Sequence, residues 1–144
     1  MMEQEKLSPN VQRAIEYFEK IDAGDESYLA LFSEDVRFFF PKFGTHQGKQ
    51  SLIRFGERIG SSLSQIQHDI ANFNFIEAGN MLVVEGQESG VMADGTVWPD
   101  GKVSQGRFCS VFEFSGGLIN RMFIYVDPDF PSTDSARISV LSEN

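Results

Sequence analysis

The chain is poor in the groups that usually carry difficult chemistry. It has a single cysteine, Cys109, so no intrachain disulfide and no cysteine-based zinc site is available. It has two histidines, His46 and His68. A zinc site built on them would need two carboxylates beside them, and nothing in the spacing indicates that. Neither a metal nor a cofactor is expected. Cations are also scarce: 12 Lys and Arg against 21 Asp and Glu give a formal charge of −9. That sign argues against a nucleic-acid partner, whose affinity comes largely from neutralised phosphates. It also disfavours an anionic membrane surface. No apolar run approaches the roughly 20 residues of a membrane span. The polar start, Met1 to Lys6, lacks the apolar core of a signal peptide. A cytoplasmic, reduced protein is therefore expected.

What the chain has is phenylalanine: 14, against three Tyr and one Trp. Three of them stand together in Val36-Arg-Phe-Phe-Phe40, just before Pro41. Strand alternation sends Phe38 and Phe40 to one face and Phe39 to the other, so both faces of this strand need cover. Upstream, Ser8-Pro9 reads as an N-cap followed by proline at the first helical position. Val11, Ala14, Ile15, Phe18 and Ile21 then recur at helical spacing until Gly24 ends the helix. Asp25 opens a short second helix burying Leu29 and Phe32, and Ser33-Glu34-Asp35 reads as a turn. Pro41 to Gly48 reads as irregular, and a third helix is expected from about Lys49 to Ser61. The rest is strand-like: Gln65 to Ile76, Met81 to Met92, and a hairpin of Arg107 to Phe114 with Leu118 to Val126 around Ser115-Gly116-Gly117. Asp94-Gly95 and Asp100-Gly101 are turn dipeptides that bracket Trp98-Pro99.

At 144 residues this is one domain, taken as residues 8–130 with flexible termini at 1–7 and 131–144. Helices followed by a strand meander predict an α+β fold. The expected form is a curved antiparallel sheet around a long N-terminal helix, with two further helices, enclosing a cone with an apolar pocket.

Several segments resemble the nuclear transport factor 2-like superfamily, in particular its SnoaL-like and ketosteroid isomerase-like bacterial members. They are the helix end Asp22-Ala-Gly-Asp25, Leu31-Phe-Ser-Glu-Asp-Val36, the helix start Gly48-Lys-Gln-Ser-Leu-Ile53 and the hairpin end Tyr125-Val-Asp-Pro-Asp-Phe130. The resemblance runs over about Val11 to Phe130. It implies a cone-shaped pocket and frequent homodimers, with activities that include isomerases, polyketide cyclases, dehydratases, epoxide hydrolases and noncatalytic binding domains. Steroid isomerisation needs an Asp base with Tyr and protonated Asp donors. The matching positions here carry Phe18, Phe40 and Ser110, so that chemistry is excluded.

The resemblance and the residues together nominate His68 and Asp127 as catalytic. A histidine with a pKa near neutral transfers protons in both directions, and dehydratase-like members carry a pocket histidine on the matching strand. Alternation puts His68, Ile70 and Asn72 on one face; the alternative is a solvated or structurally bonded histidine. Asp127 ends the last strand near the implied pocket mouth, where cyclase-like members use an Asp; the alternative is a strand stop bonded to its own backbone. Asp22 and Asp25 read as helix terminus and N-cap, although some dehydratase-like members use an Asp near this helix end. Trp98 reads as a lid or interface residue, and Tyr17 as a ligand contact or a rim residue with its hydroxyl in water. Tyr17, Phe18, Phe38, Phe40, Asn72, Trp98, Phe108, Ser110 and Met122 complete the expected substrate-binding set. Glu113 and Arg121 read as a cross-strand pair. The segment Gly44-Thr-His-Gln-Gly48-Lys49-Gln50 has neither the spacing nor the Ser/Thr of a phosphate loop.

Two functions follow. One is a cofactor-free proton-transfer enzyme of cyclase, dehydratase or isomerase type, acting on a small apolar or cyclic substrate. The other is a noncatalytic ligand-binding or dimerisation module. The outer sheet face, with Cys109, Val111, Phe123 and Tyr125, is the expected homodimer surface.

Overall fold

The computed structural model of the chain describes residues 7–101 and 104–134. The expected termini at 1–7 and 131–144 therefore fall mostly outside the described residues. Helix α1, Pro9–Ala23, starts where the Ser8 side chain accepts a hydrogen bond from the Val11 amide. It stops at Gly24, whose left-handed φ of 68° suits a residue without Cβ. Asp25 caps a short 3-10 helix, Glu26–Leu31, by accepting from the Ser27 amide. That helix buries Leu31 rather than the expected Leu29, while Phe32 already belongs to the following strand.

Strand β1 spans Phe32–Phe40 without the expected turn at Ser33–Asp35; a register irregularity between Phe32 and Arg37 takes its place. The segment expected to be irregular forms strand β2, Gly44–Gln47, which folds back on β1. Helix α2, Lys49–Ser62, runs one residue beyond the expected end. The expected single strand from Gln65 to Ile76 is broken into β3, Leu63–His68, a 3-10 turn, Ile70–Asn72, and β4, Asn74–Ala78. Strands β5, Met81–Met92, β6, Val97–Trp98, β7, Arg107–Ser115, and β8, Leu118–Val126, complete the sheet.

The sheet order is β2-β1-β8-β7-β5-β3, with β4 and β6 also paired to β5. The expected all-antiparallel sheet is corrected in one place: β1 and β8 run parallel. The β7–β8 hairpin delivers β8 to the edge of the antiparallel meander, and β1, arriving from the helices, adds beside it. The long strand β5 pairs through its first half with β4 and β7, and through its second half with β3 and β6. Gly90 makes the crowded upper half possible: a Cβ there would run into the Gln65 carbonyl oxygen and the Trp98 ring.

Along β5 and β7 the even-numbered residues point inward, so Leu82, Val84, Phe108, Phe112 and Phe114 are buried. With Val11, Ala14, Phe18, Phe32, Val36, Phe38, Ile119 and Met122 they form one core between α1 and the concave face of the sheet. Each fully buried Phe or Leu contributes roughly 1.5–3 kcal/mol. The Tyr17 ring lies edge-on to Phe18, Tyr28, Phe32 and Phe112 at centroid distances of 5.0 to 6.1 Å. Among the described residues no helix is long and apolar enough to cross a membrane.

Candidate functional site

Where α1, α2 and the sheet diverge, the core gives way to a cavity of about 670 Å³. That volume suits a small organic molecule. Its walls include Tyr17, Phe18, Phe40, Phe55, Phe108 and Ile124, which are largely apolar. His68, the last residue of β3, enters it with its side chain only 6% exposed. Phe18 lies 4.8 Å from the imidazole by ring centroids and Phe108 5.4 Å, so aromatic carbon covers much of the ring.

Both ring nitrogens meet carboxylates. Nδ1 lies 2.6 Å from Asp22 Oδ1, and the His68 backbone N–H donates to the other oxygen, Oδ2, at 2.8 Å. Nε2 lies 3.2 Å from Glu88 Oε1. Asp22 comes from the last turn of α1, one helical turn after Phe18 and on the same face. Glu88 is the cross-strand partner of His68 in the β3–β5 register, so the two side chains leave the sheet on the same side. Burial alone would push the imidazole pKa down. The hydrogen bonds and charges of Asp22 and Glu88 outweigh it and raise the pKa to about 8. The ring is therefore mostly an imidazolium at neutral pH, donating to a carboxylate on each side. Because the two carboxylates hold opposite ring nitrogens, they do not converge with the ring on one point. Among the described residues no cluster suited to a metal ion is present.

Asp22 stands at the helix terminus, as the sequence predicts, and from there also holds His68 by its ring and its backbone N–H. Glu88 was missed altogether. Its signal was parity: it shares the inward face of β5 with Leu82, Val84 and Gly86, where a carboxylate is out of place. Tyr17 is not a rim residue: it is buried and lines the cavity. Burial first, then Tyr28, Glu88 and Asp22, push its pKa upward, so it stays a neutral phenol able to donate a hydrogen bond. Phe18, Phe40, Phe108 and Ser110 also line the cavity, Ser110 only 2% exposed.

Five expected residues lie elsewhere. Asp127 is exposed, and its Oδ1 accepts the Asp129 N–H at 2.9 Å. It borders a separate hollow of about 210 Å³ and not the His68 cavity. The strand parity that points residues 122, 124 and 126 inward turns residue 127 away. Trp98 borders the same small hollow, buried against Phe130 at 4.6 Å. Asn72 sits exposed on the 3-10 turn, bonded to Asp69, because the chain leaves strand geometry after His68. Phe38 and Met122 are paired across β1 and β8 and buried in the core, not at the cavity wall. Phe38 packs on Phe55, which itself reaches the cavity.

Comparison with known proteins agrees with this architecture. No curated protein sequence matches the chain. Among solved structures it is similar to a nuclear transport factor 2-like protein of unknown function from Burkholderia pseudomallei. The TM-score is 0.71 and the identity 22%, with 94% of this chain and 98% of the other covered. It is similar to TerC, co-crystallised with polyporic acid, with TM-score 0.69 and 20% identity over 95% of this chain and 100% of the other. A candidate polyketide cyclase from Xanthomonas campestris pv. campestris follows, with TM-score 0.65 and 22% identity over 82% and 93%. At such identities the likeness is one of fold: an α+β cone with a strongly curled mixed sheet. The SnoaL-like domain family matches residues 11–122, and the chain belongs to that family.

Proposed function

We propose that this SnoaL-like protein is a cofactor-free proton-transfer enzyme acting on a small, largely apolar molecule, by cyclisation, dehydration or isomerisation. The observation that carries this reading is the Asp22–His68–Glu88 array inside an aromatic-walled cavity. A buried histidine clamped by acids is a costly arrangement for packing alone, and perturbed titratable groups in a cleft mark candidate active sites. Asp22 holds the ring by accepting from Nδ1–H and from the backbone N–H. The Nε2–Glu88 edge is then the proton-handling end. Glu88 takes a proton from an acidic C–H or O–H of the substrate, and the His68 imidazolium returns one to a developing oxyanion or leaving hydroxyl. Tyr17 and Ser110 supply neutral donors for a substrate oxygen. Phe18, Phe40 and Phe108 keep water out, which strengthens each of these interactions. Candidate polyketide cyclases among the similar structures fit this reaction class.

The same array argues for catalysis over a purely binding role, for which a dry cone without titratable groups would suffice. The test is turnover on a panel of cyclisable or dehydratable aromatic ketones and alcohols. His68→Ala is expected to lower kcat by about 10²-fold or more, and activity unchanged in that variant would end the proposal.

A second copy of the chain is the proposed partner for the outer sheet face. Phe39, Phe123 and Tyr125 stack there, Tyr125 is 48% exposed, and Arg37 and Arg121 lie over the Phe123 ring. Light scattering at micromolar concentration is expected to give a dimer mass, and a monomer would refute this.

A further inference from the structure

The charges around the cavity are strongly one-sided. Asp22, Asp25, Glu26, Glu57 and Glu88 all line it, against Lys20 and His68. Five carboxylates against two cations leave a net charge of −3. Both cations are already engaged. The Lys20 ammonium donates to Ser27 Oγ at 2.7 Å and lies 3.5 Å from Asp25 and 4.0 Å from Glu16. His68 is held between two acids. Even the innermost group, Asp22–His68–Glu88, carries one negative charge when the ring is protonated.

One charged side chain at the inner end is short of the partners that burial ordinarily demands. Glu88 is 9% exposed, and among the described residues the His68 ring is its one partner, so three of its roughly four acceptor sites are open. Ser110, 2% exposed, faces the same space with a hydroxyl that can both donate and accept. A buried carboxylate left open in this way awaits a ligand that donates hydrogen bonds. The Tyr17 hydroxyl is held neutral by burial first, then by Tyr28, Glu88 and Asp22.

Building on the proposed function, we infer that the cavity selects by charge: its substrate is an uncharged or cationic apolar molecule with a hydrogen-bond donor, and anions are excluded. A carboxylate or phosphate would enter between Glu26 and Glu57 and come to rest against Glu88, with no free cation among the described lining residues to meet it. A hydroxyl or ammonium in the same place would complete the open acceptor sites of Glu88. Coulomb repulsion by even one uncompensated charge within a few ångströms weakens binding by about tenfold to a hundredfold at intermediate dielectric.

The test uses three matched fluorescent probes: 9-anthracenemethanol, (9-anthrylmethyl)ammonium and 9-anthracenecarboxylate. Each is titrated into the full-length protein at low salt. The alcohol and the ammonium are expected to bind at least about tenfold more tightly than the carboxylate, with the gap shrinking in high salt. The rim variant Glu26→Gln/Glu57→Gln, which leaves the buried array untouched, is expected to narrow the gap, and adding Glu88→Gln to narrow it further. Equal affinity for carboxylate and alcohol overturns the inference, as does a gap unchanged in the triple variant. Charge discrimination without turnover in any assay keeps the inference and rejects the enzyme. Failure of all three probes to bind rejects both.

Discussion

The clamp on His68 makes stability depend on pH in a defined direction. An unfolded chain exposes an ordinary imidazole with a pKa near 6.5, whereas the folded site raises it to about 8. Between those values the folded protein holds a proton that the unfolded chain has lost, so stability falls as pH rises through the window. The full contribution, present below the unfolded pKa, is about 2 kcal/mol at 1.36 kcal/mol per pH unit. The same linkage leaves about 1.3 kcal/mol at pH 7, about 0.4 kcal/mol at pH 8 and almost nothing at pH 9. The side chain is 6% exposed, so solvent screening takes little from these figures. The assay is urea denaturation from pH 6 to pH 9, with His68→Gln as reference, since glutamine keeps the polarity but cannot titrate. Subtracting the two curves cancels the other ionisable groups. The difference is expected to shrink by about 2 kcal/mol across the window, and the His68 ring resonances are expected to titrate near 8. A flat difference, one that grows with pH, or a ring titrating at or below 6.5 would refute the clamp.

Three other outcomes follow from the same geometry. Asp22→Asn removes the acceptor charge from both His68 donors; it should bring the ring pKa down, seen by NMR, and lower kcat by at least tenfold while leaving the helical circular dichroism in place. Asp127→Ala should leave turnover within about twofold, because its carboxylate only caps the Asp129 amide on an exposed turn; a loss of activity like that of His68→Ala would mean the cavity is wrongly located. Phe112→Ala should cost about 3–5 kcal/mol in a urea titration, because a fully buried ring between α1 and the sheet leaves a cavity that the rigid surroundings do not fill.

Much of the fold was legible in the chain because it depends on local signals. Ser8-Pro9 and Gly24 bound α1, and the glycine pair 116–117 turns the β7–β8 hairpin at the expected place. The Glu113–Arg121 pair, 3.1 Å apart, followed from the hairpin register alone. The break after His68 was not legible. Loose alternation continues through Ile70 and Asn72, and only the pairing of β3 and β4 with successive halves of β5 forces the chain to turn. The parallel β1–β8 pair was hidden for the same reason: nothing near Val36 says which strand it will lie beside.

The site divides along the same line. By itself the sequence predicted a phenylalanine-rich α+β cone, from residue identity and spacing within single elements. The family resemblance added the expectation that Phe18, Phe40 and Ser110 stand where steroid isomerases keep their acid and base groups, and it pointed to His68. Which acids serve that histidine was decided only by the tertiary structure. Asp22 and His68 are 46 residues apart, and Glu88 reaches the ring only through the β3–β5 register. The choice of Asp127 assumed that the end of β8 opens into the cavity, whereas strand parity turns that side chain outward. A proton-transfer array is set by distances of about 3 Å between elements remote in sequence, and those distances exist only once the sheet has curled around α1.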